Sequence, residues 1–354
     1  MSAPPHRRGR GITRRQERRL RRLGLALGAI VLTLALAEVA LRLTGFGLVR
    51  PELAFGVNAR LAFERGQFSA DRHLFWKFAG PPGPADEALG TVHPDRVIAP
   101  AVQRPRLLFL GDSCTRLGMD GPAYPGRLKA MLARRAEVLT AAVPGYTSHQ
   151  GLAWLRRQLL AARPDVIVVY FGWNDHWRTI GLTDRQYAAS LSSLRPRLAT
   201  LWRRPTADAP LRVPPADYRA NLEAIAREAS AAGCRVLFVR APGAIGPAAR
   251  QRLVDAGYMR PDDDPAALHA AHLAVLDEVA RAHDVPVLDA DTIFAGLGSP
   301  LPLLTDDGIH LTGAGHQVMA VIVAQKVLGG MLRLLDDPRS VEDVAAAAVQ
   351  ALSP

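Results

Sequence analysis

Apolar and polar positions along the chain fall into three regimes. From Leu23 to Ala37 no residue is charged, and nineteen residues separate Arg22 from Arg42. As an α-helix, such a stretch rises roughly 28 Å, close to the hydrocarbon thickness of a bilayer. Glu38 and Arg42 are four apart, so they are placed to pair at its far end. From Thr44 to Pro105 no period holds. Within that region Asp71 to Phe78 concentrates Leu74, Phe75, Trp76 and Phe78, the pattern of an edge strand or a flap, and Pro81-Pro82-Gly83-Pro84 reads as a loop. From Arg106 onward, short apolar runs alternate with stretches of helical period.

That third regime predicts strands at 106–110, 137–143, 165–171, 235–240 and 287–291, and helices at 123–135, 150–162, 218–232, 265–283 and 313–328. The strand runs are continuously apolar, as expected of strands buried on both faces. Strands separated by helices give βαβ units, hence a parallel sheet with right-handed crossovers. Five of them suit a flavodoxin-like strand order in a three-layer α/β/α sandwich. The long interruption at 176–216 carries Trp177, Tyr187, Trp202 and several prolines, and reads as a lid or specificity loop. Ser340, with Asp343 three residues on, opens a short capped helix running to Leu352. The expected division is a basic tail at 1–22, a membrane helix at 23–43, a connector or flap at 44–104, the α/β domain at 105–335 with its insertion, and a C-terminal helix at 336–354.

Charge changes the picture at one end only. The net charge of +11 suggests nucleic acid, yet nine arginines lie in the first 22 residues against the single Glu17. The remainder is close to balanced, so a nucleic-acid partner is not expected. The first 22 residues are polar enough to be read as disordered. Arginines ahead of the span and few after it place the N-terminus in the cytoplasm and the rest outside, by the positive-inside rule. Of two rival readings, a buried soluble helix is disfavoured by the arginine block in front, and the other is a cleaved secretory signal, because Ala35-Leu36-Ala37 has the form of a cleavage site. With an anchor or a cleaved signal the globular part leaves the cytoplasm. The two cysteines, Cys114 and Cys234, lie beside expected strands and read as small buried hydrophobes, with a bridge between them the lesser alternative.

Candidate chemistry gathers where strands end. The first expected strand stops at Gly111-Asp112-Ser113, the second at Val143-Pro144-Gly145, and the third at Gly172-Trp173-Asn174-Asp175. The loop before the last helix holds Asp306-Asp307-Gly308-Ile309-His310. In open α/β sheets this edge is where ligands bind. Serine is a weak nucleophile until a base takes its proton, and His310 is suited to do so. Asp307 lies three residues earlier and would orient the imidazole, with Asp306 as the alternative. The Ser113 and Gly145 N–H groups and the Asn174 amide would supply donors to a tetrahedral oxyanion. Asp112 reads as a turn residue and Asp175 as a hydrogen-bonding support for the Asn174 loop. His149 and His176 read as solvated loop residues near the mouth, and His269, His272 and His283 as surface residues. No metal or other cofactor is expected.

Taken together, these blocks resemble the GDSL/SGNH hydrolase family. The resemblance rests on Gly111-Asp112-Ser113 with Thr115 and Gly118, on Gly145, on Gly172-x-Asn174-Asp175 and on Asp307-x-x-His310, in order from about Arg104 to Leu328. Cys114 stands where the family usually has leucine. The resemblance implies Ser113 as nucleophile, His310 as base, Asp307 as its partner, and Ser113, Gly145 and Asn174 as oxyanion donors. It implies a serine esterase acting through an acyl-enzyme on ester substrates such as acylated carbohydrate or lipid. An O-acyltransferase would use the same residues with a sugar hydroxyl in place of water. A silent, anchored binding module is disfavoured because Ser113, Asn174, Asp307 and His310 are all present.

Overall fold

The computed structural model describes residues 14–43, 55, 57–101, 104–133, 135–179, 181–192, 209–299 and 301–352. The expected extreme N-terminal tail, residues 44–54 of the connector, and the centre of the insertion with Pro196, Trp202 and Pro205 lie outside these. The chain divides into two compact units. One takes in residues 1–49 with 193–204, and the other residues 50–192 with 205–354.

In the first unit the described residues form one helix, Arg14–Leu43, in which Arg42 Nε donates to Glu38 Oε1 at 2.6 Å. It is long and apolar enough to cross a membrane or to act as a signal sequence. The expectation of disorder through Arg22 is corrected, because the helix already runs from Arg14. Arginine and leucine are good helix formers, so the basic segment extends the apolar helix rather than interrupting it.

In the second unit, five parallel strands stand in the order β4-β3-β5-β6-β7: β3 (Arg106–Gly111), β4 (Glu137–Ala142), β5 (Val166–Tyr170), β6 (Arg235–Arg240) and β7 (Val287–Asp289). This is the flavodoxin-like order expected. Side-chain alternation along the strands feeds two separate apolar layers. Leu108, Leu110, Ile167 and Val169 meet Trp154, Leu222, Ile225 and Val279 on one face. On the other, Leu107, Phe109, Val166 and Val168 meet Leu128, Val318, Met319 and Ile322. Helices Pro215–Ala231 and Pro265–Ala282 cover the first face, and Tyr124–Leu132 and Gly313–Ala324 the second.

Helix ends differ from the expected ones where the backbone changes pitch. The helix expected at 150–162 is an α-helix at Ser148–Trp154, then a π turn at Leu155–Leu159 and a 3-10 turn at Leu160–Ala162. Gly313–Ala324 likewise continues as π helix over Gln325–Met331. Short helices at Ser113–Arg116, Pro247–Asp255 and Ala290–Gly296 were not expected. The C-terminal helix, Val341–Leu352, has its box start: the Ser340 N–H donates to Asp343 at 3.1 Å, and the Asp343 N–H to Ser340 Oγ at 3.0 Å.

The 44–104 segment is more than a connector. It carries a helix at Val57–Glu64 and an antiparallel hairpin, β1 (Phe68–Asp71) and β2 (Phe75–Phe78), separate from the main sheet. Phe55, Leu74, Phe75 and Trp76 are buried in the first apolar layer.

At the opposite end of the sheet from the loops of interest, Arg106 is buried. Its guanidinium donates twice to Glu137 at 2.9 Å, and also to the Ala162 and Ala99 carbonyls at 2.7 and 2.8 Å. Removing one member of such a pair leaves an uncompensated charge inside. Glu137→Ala is expected to lower stability by about 3 kcal/mol, read as a fall in the urea midpoint by tryptophan fluorescence. An unchanged midpoint would contradict this account of Arg106.

Candidate active site

Register sets where the site forms. Gly111, the last residue of β3, pairs with Ala142 of β4 and with Tyr170 of β5. Three strands therefore end side by side, and the loops starting at Asp112, Val143 and Phe171 leave the sheet at one edge. Asp112 caps the four-residue helix Ser113–Arg116, its Oδ1 accepting the Cys114 N–H at 2.9 Å. That turn carries the Ser113 side chain.

The Thr305–His310 turn meets it from the other side. Asp307 Oδ1 accepts the Thr305 hydroxyl at 2.8 Å and the Ile309 and His310 N–H groups at 2.8 and 2.9 Å. Its second oxygen lies 2.6 Å from His310 Nδ1, and His310 Nε2 lies 2.9 Å from Ser113 Oγ. An ionised carboxylate only accepts, so Nδ1 carries the proton and the Nε2 lone pair faces the serine hydroxyl. Burial by itself would raise the Asp307 pKa. The hydrogen bond and charge of His310, with the two backbone N–H groups, outweigh it and hold Asp307 far below the usual carboxylate range. For His310, burial favours the neutral ring, but the bond to Asp307 and the charges of Asp307 and Asp112 prevail and raise its pKa.

The other two loops bring further donors to the edge. Gly145 has φ +81°, a left-handed conformation that glycine adopts without strain. Asn174 Nδ2 donates one hydrogen to Asp112 Oδ2 at 2.9 Å, leaving its second for another acceptor. Asp112 is thus more than a turn residue: one oxygen caps the Ser113 turn and the other aims the Asn174 amide. Burial pushes its carboxyl up to about 7, against the Cys114 N–H, the charge of His310 and the Asn174 amide. Gly172, at φ +140°, turns the chain out of β5. Asp175 is buried and accepts the Ser148 hydroxyl and its N–H, the latter at 3.0 Å. It therefore ties the Asn174 loop to the Gly145 loop, a longer reach than the local support expected of it.

Among neighbouring residues the alternatives for the imidazole partner and the cysteines are set aside, and the expectations for several histidines are overturned. Asp306 is exposed, and it is Asp307 that faces the imidazole. His269 and His272 are buried rather than on the surface, because they share one helical face with Leu276 and Val279. His269 Nε2 lies 2.8 Å from the Ala241 carbonyl, and its ring stacks on Trp173 at 4.0 Å. His176 is buried against Trp173 and Trp177 rather than solvated, and His149 is half-buried with its ring stacked on Phe75. Cys114 and Cys234 are both free and buried. Among the described residues, no group of three His, Cys, Asp or Glu side chains is arranged to hold a metal.

Residues that sequence reasoning missed stand behind the loops. Trp76 Nε1 donates to the Pro144 carbonyl at 3.2 Å. Arg212 donates to the Gly145 carbonyl at 2.6 Å and is paired with buried Asp184. Trp76 and Arg212 are 68 and 67 positions from the carbonyls they hold, so no local pattern points to them. The described flanks of the 176–216 insertion, Asp184, Tyr187, Arg212 and Val213, are buried parts of the core.

Three parallel strands thus end beneath a serine, an imidazole and a carboxylate. A family model described as GDSL-like lipase/acylhydrolase matches residues 109–318, more than half of the chain, and the chain belongs to that family. It is accordingly a carboxylic ester hydrolase. Among solved structures the chain is similar to a lipase/acylhydrolase from Enterococcus faecalis, at 21% identity over 66% of this chain and 99% of that one, with a TM-score of 0.46. It is also similar to an acetylxylan esterase from Geobacillus stearothermophilus, at 18% identity over 64% and 94% of the two chains, with a TM-score of 0.45. No curated protein matches it.

The environment of His310 makes a direct prediction. Its imidazole should titrate, by NMR of the ring protons, with a midpoint above the ordinary value of about 6.5. In Asp307→Asn the raising interactions with Asp307 are lost while burial remains, so the midpoint should fall. A wild-type midpoint at or below the ordinary value would contradict this electrostatic account.

Proposed function

We propose that the protein is a serine esterase in which Ser113 attacks the ester carbonyl, His310 takes its proton and Asp307 holds the imidazole. The observation that carries this is the continuous chain from Asp307 Oδ2 through His310 to Ser113 Oγ, with contacts of 2.6 and 2.9 Å. Proton transfer from Ser113 to Nε2 creates an imidazolium beside an ionised Asp307, and the low pKa of that carboxylate keeps it ready for the role. The tetrahedral oxyanion is met by the Ser113 and Gly145 N–H groups and by the free Nδ2 hydrogen of Asn174. Collapse expels the alcohol, protonated by His310. Water, deprotonated by the same imidazole, then releases the acid from Ser113.

The Arg14–Leu43 helix fits a signal anchor, with the arginines of residues 1–22 on the cytoplasmic side and the catalytic unit outside. A catalytic unit tethered there meets acylated envelope carbohydrate, and short acyl esters of such polymers are the substrates proposed.

The test uses the purified protein with p-nitrophenyl esters of increasing chain length and a fluorophosphonate probe. Ser113→Ala should lose labelling and lower turnover by about four orders of magnitude or more. A folded variant that still turned over the esters would overturn the assignment. Asn174→Ala should lower kcat by about 10²–10³-fold, the usual cost of one oxyanion donor.

Because His310 must be neutral to act as base, kcat/KM should fall as pH drops through its raised pKa, placing the acidic limb above about 6.5. A limb centred on a lower pH would count against His310 as the base. Labelling with transfer to an added oligosaccharide in preference to water would instead identify an acyltransferase.

A further inference from the structure

We infer that Trp76 is a positioning residue for the oxyanion donor Gly145. The inference rests on the reading of the Gly145 N–H proposed above. The Pro144 carbonyl and the Gly145 N–H are opposite ends of one planar peptide unit. The Trp76 indole N–H donates to that carbonyl at 3.2 Å, so it fixes the direction in which the Gly145 N–H points. Rotating the peptide away from the oxyanion would break the indole bond. Accepting that bond also polarises the peptide and strengthens its N–H as a donor.

Gly145 is the residue at which such a restraint matters, since glycine offers a peptide the least resistance to turning. The indole also lies against its α-carbon: a Cβ built on Gly145 would sit 3.0 Å from Trp76 Cζ2. The next peptide is held as well, because Arg212 Nη1 donates to the Gly145 carbonyl at 2.6 Å. Its guanidinium is paired with Asp184 at 3.0 and 3.2 Å and donates to Gln150 Oε1 at 2.9 Å. It also lies 4.6 Å over the Phe55 ring and 5.5 Å over Trp76. Both peptides flanking the Gly145 α-carbon are therefore gripped from behind, by residues of two segments remote in sequence.

The gripping group is itself fixed. Trp76 is 1% exposed, and the Tyr146 hydroxyl donates to its carbonyl. Its neighbour Phe75 is held at φ +68°, a region bulky residues avoid, with its ring stacked on Phe55 at 5.5 Å and edge-on to Tyr187 at 4.8 Å. A backbone kept in such a conformation marks surroundings that over-determine it.

The test compares the full-length protein with Trp76→Phe and with a variant carrying benzothienylalanine at position 76. The latter keeps the bicyclic shape and replaces only the N–H. In both, kcat for p-nitrophenyl acetate should fall about tenfold with KM nearly unchanged, a fraction of the cost of deleting a donor outright. The rate of fluorophosphonate labelling should fall in parallel, because its adduct uses the same donors. The acidic limb of the pH profile should stay in place, because His310 and Asp307 are untouched. A packing role alone would lower the melting temperature and leave kcat intact. Wild-type kcat in the benzothienylalanine variant overturns the proposal, and that variant decides the matter if Trp76→Phe does not fold. Ser113→Ala, measured alongside, separates the two levels: full turnover in that variant sinks the catalytic reading itself.

Discussion

Everything at the reactive edge depends on β3 being paired on both sides, in parallel and in register. Because Gly111, Ala142 and Tyr170 lie abreast, the loops after three strands begin at the same height. A parallel sheet must be covered on both faces, which is why β3 from Leu107 onward and β5 are apolar and feed two distinct layers. The chemistry is thereby confined to strand ends, where polar side chains meet without entering those layers.

Polar groups behind that edge are buried in pairs. Asp112 holds the Asn174 amide. Asp175 holds Ser148, whose hydroxyl also accepts from Asn221 Nδ2 at 2.9 Å. Asp184 pairs with Arg212 and accepts the Thr147 hydroxyl at 2.6 Å. Each pair joins a loop of the edge to another element, so the loops are fixed relative to one another as well as to the sheet. In a low-dielectric interior such networks hold geometry tightly when satisfied. The flanks of the 176–216 insertion, which carry Asp184 and Arg212, lie outside the alternating strand–helix pattern.

The two carboxylates nearest the Ser113–His310 pair show how environment assigns state. Asp112 is wholly buried with two donors, so burial wins and its pKa rises. Asp307 is half-buried and takes four donors, including the imidazole, so hydrogen bonding and charge win and its pKa falls. One residue type thus serves as a support whose ionisation burial opposes on one side and as a firm anion on the other.

The strand ladder, its flavodoxin-like order and the grouping of Ser113, Gly145, Asn174, Asp307 and His310 at one edge were legible in the chain alone. Each depends on local period or on strand ends, and both are written within a few residues. The buried face of helix Pro265–Ala282 is written there too: the spacing of His269 and His272 with Leu276 and Val279 puts them in the core, not on the surface expected of them. What the tertiary structure alone decided is how the edge is held: Trp76 behind Pro144, Arg212 behind Gly145, Ser148 between Asp175 and Asn221. These contacts join residues far apart in sequence through a few hydrogen bonds each, which leave no periodic trace. Periodicity records which way a side chain faces, whereas its partner is settled only when distant segments pack.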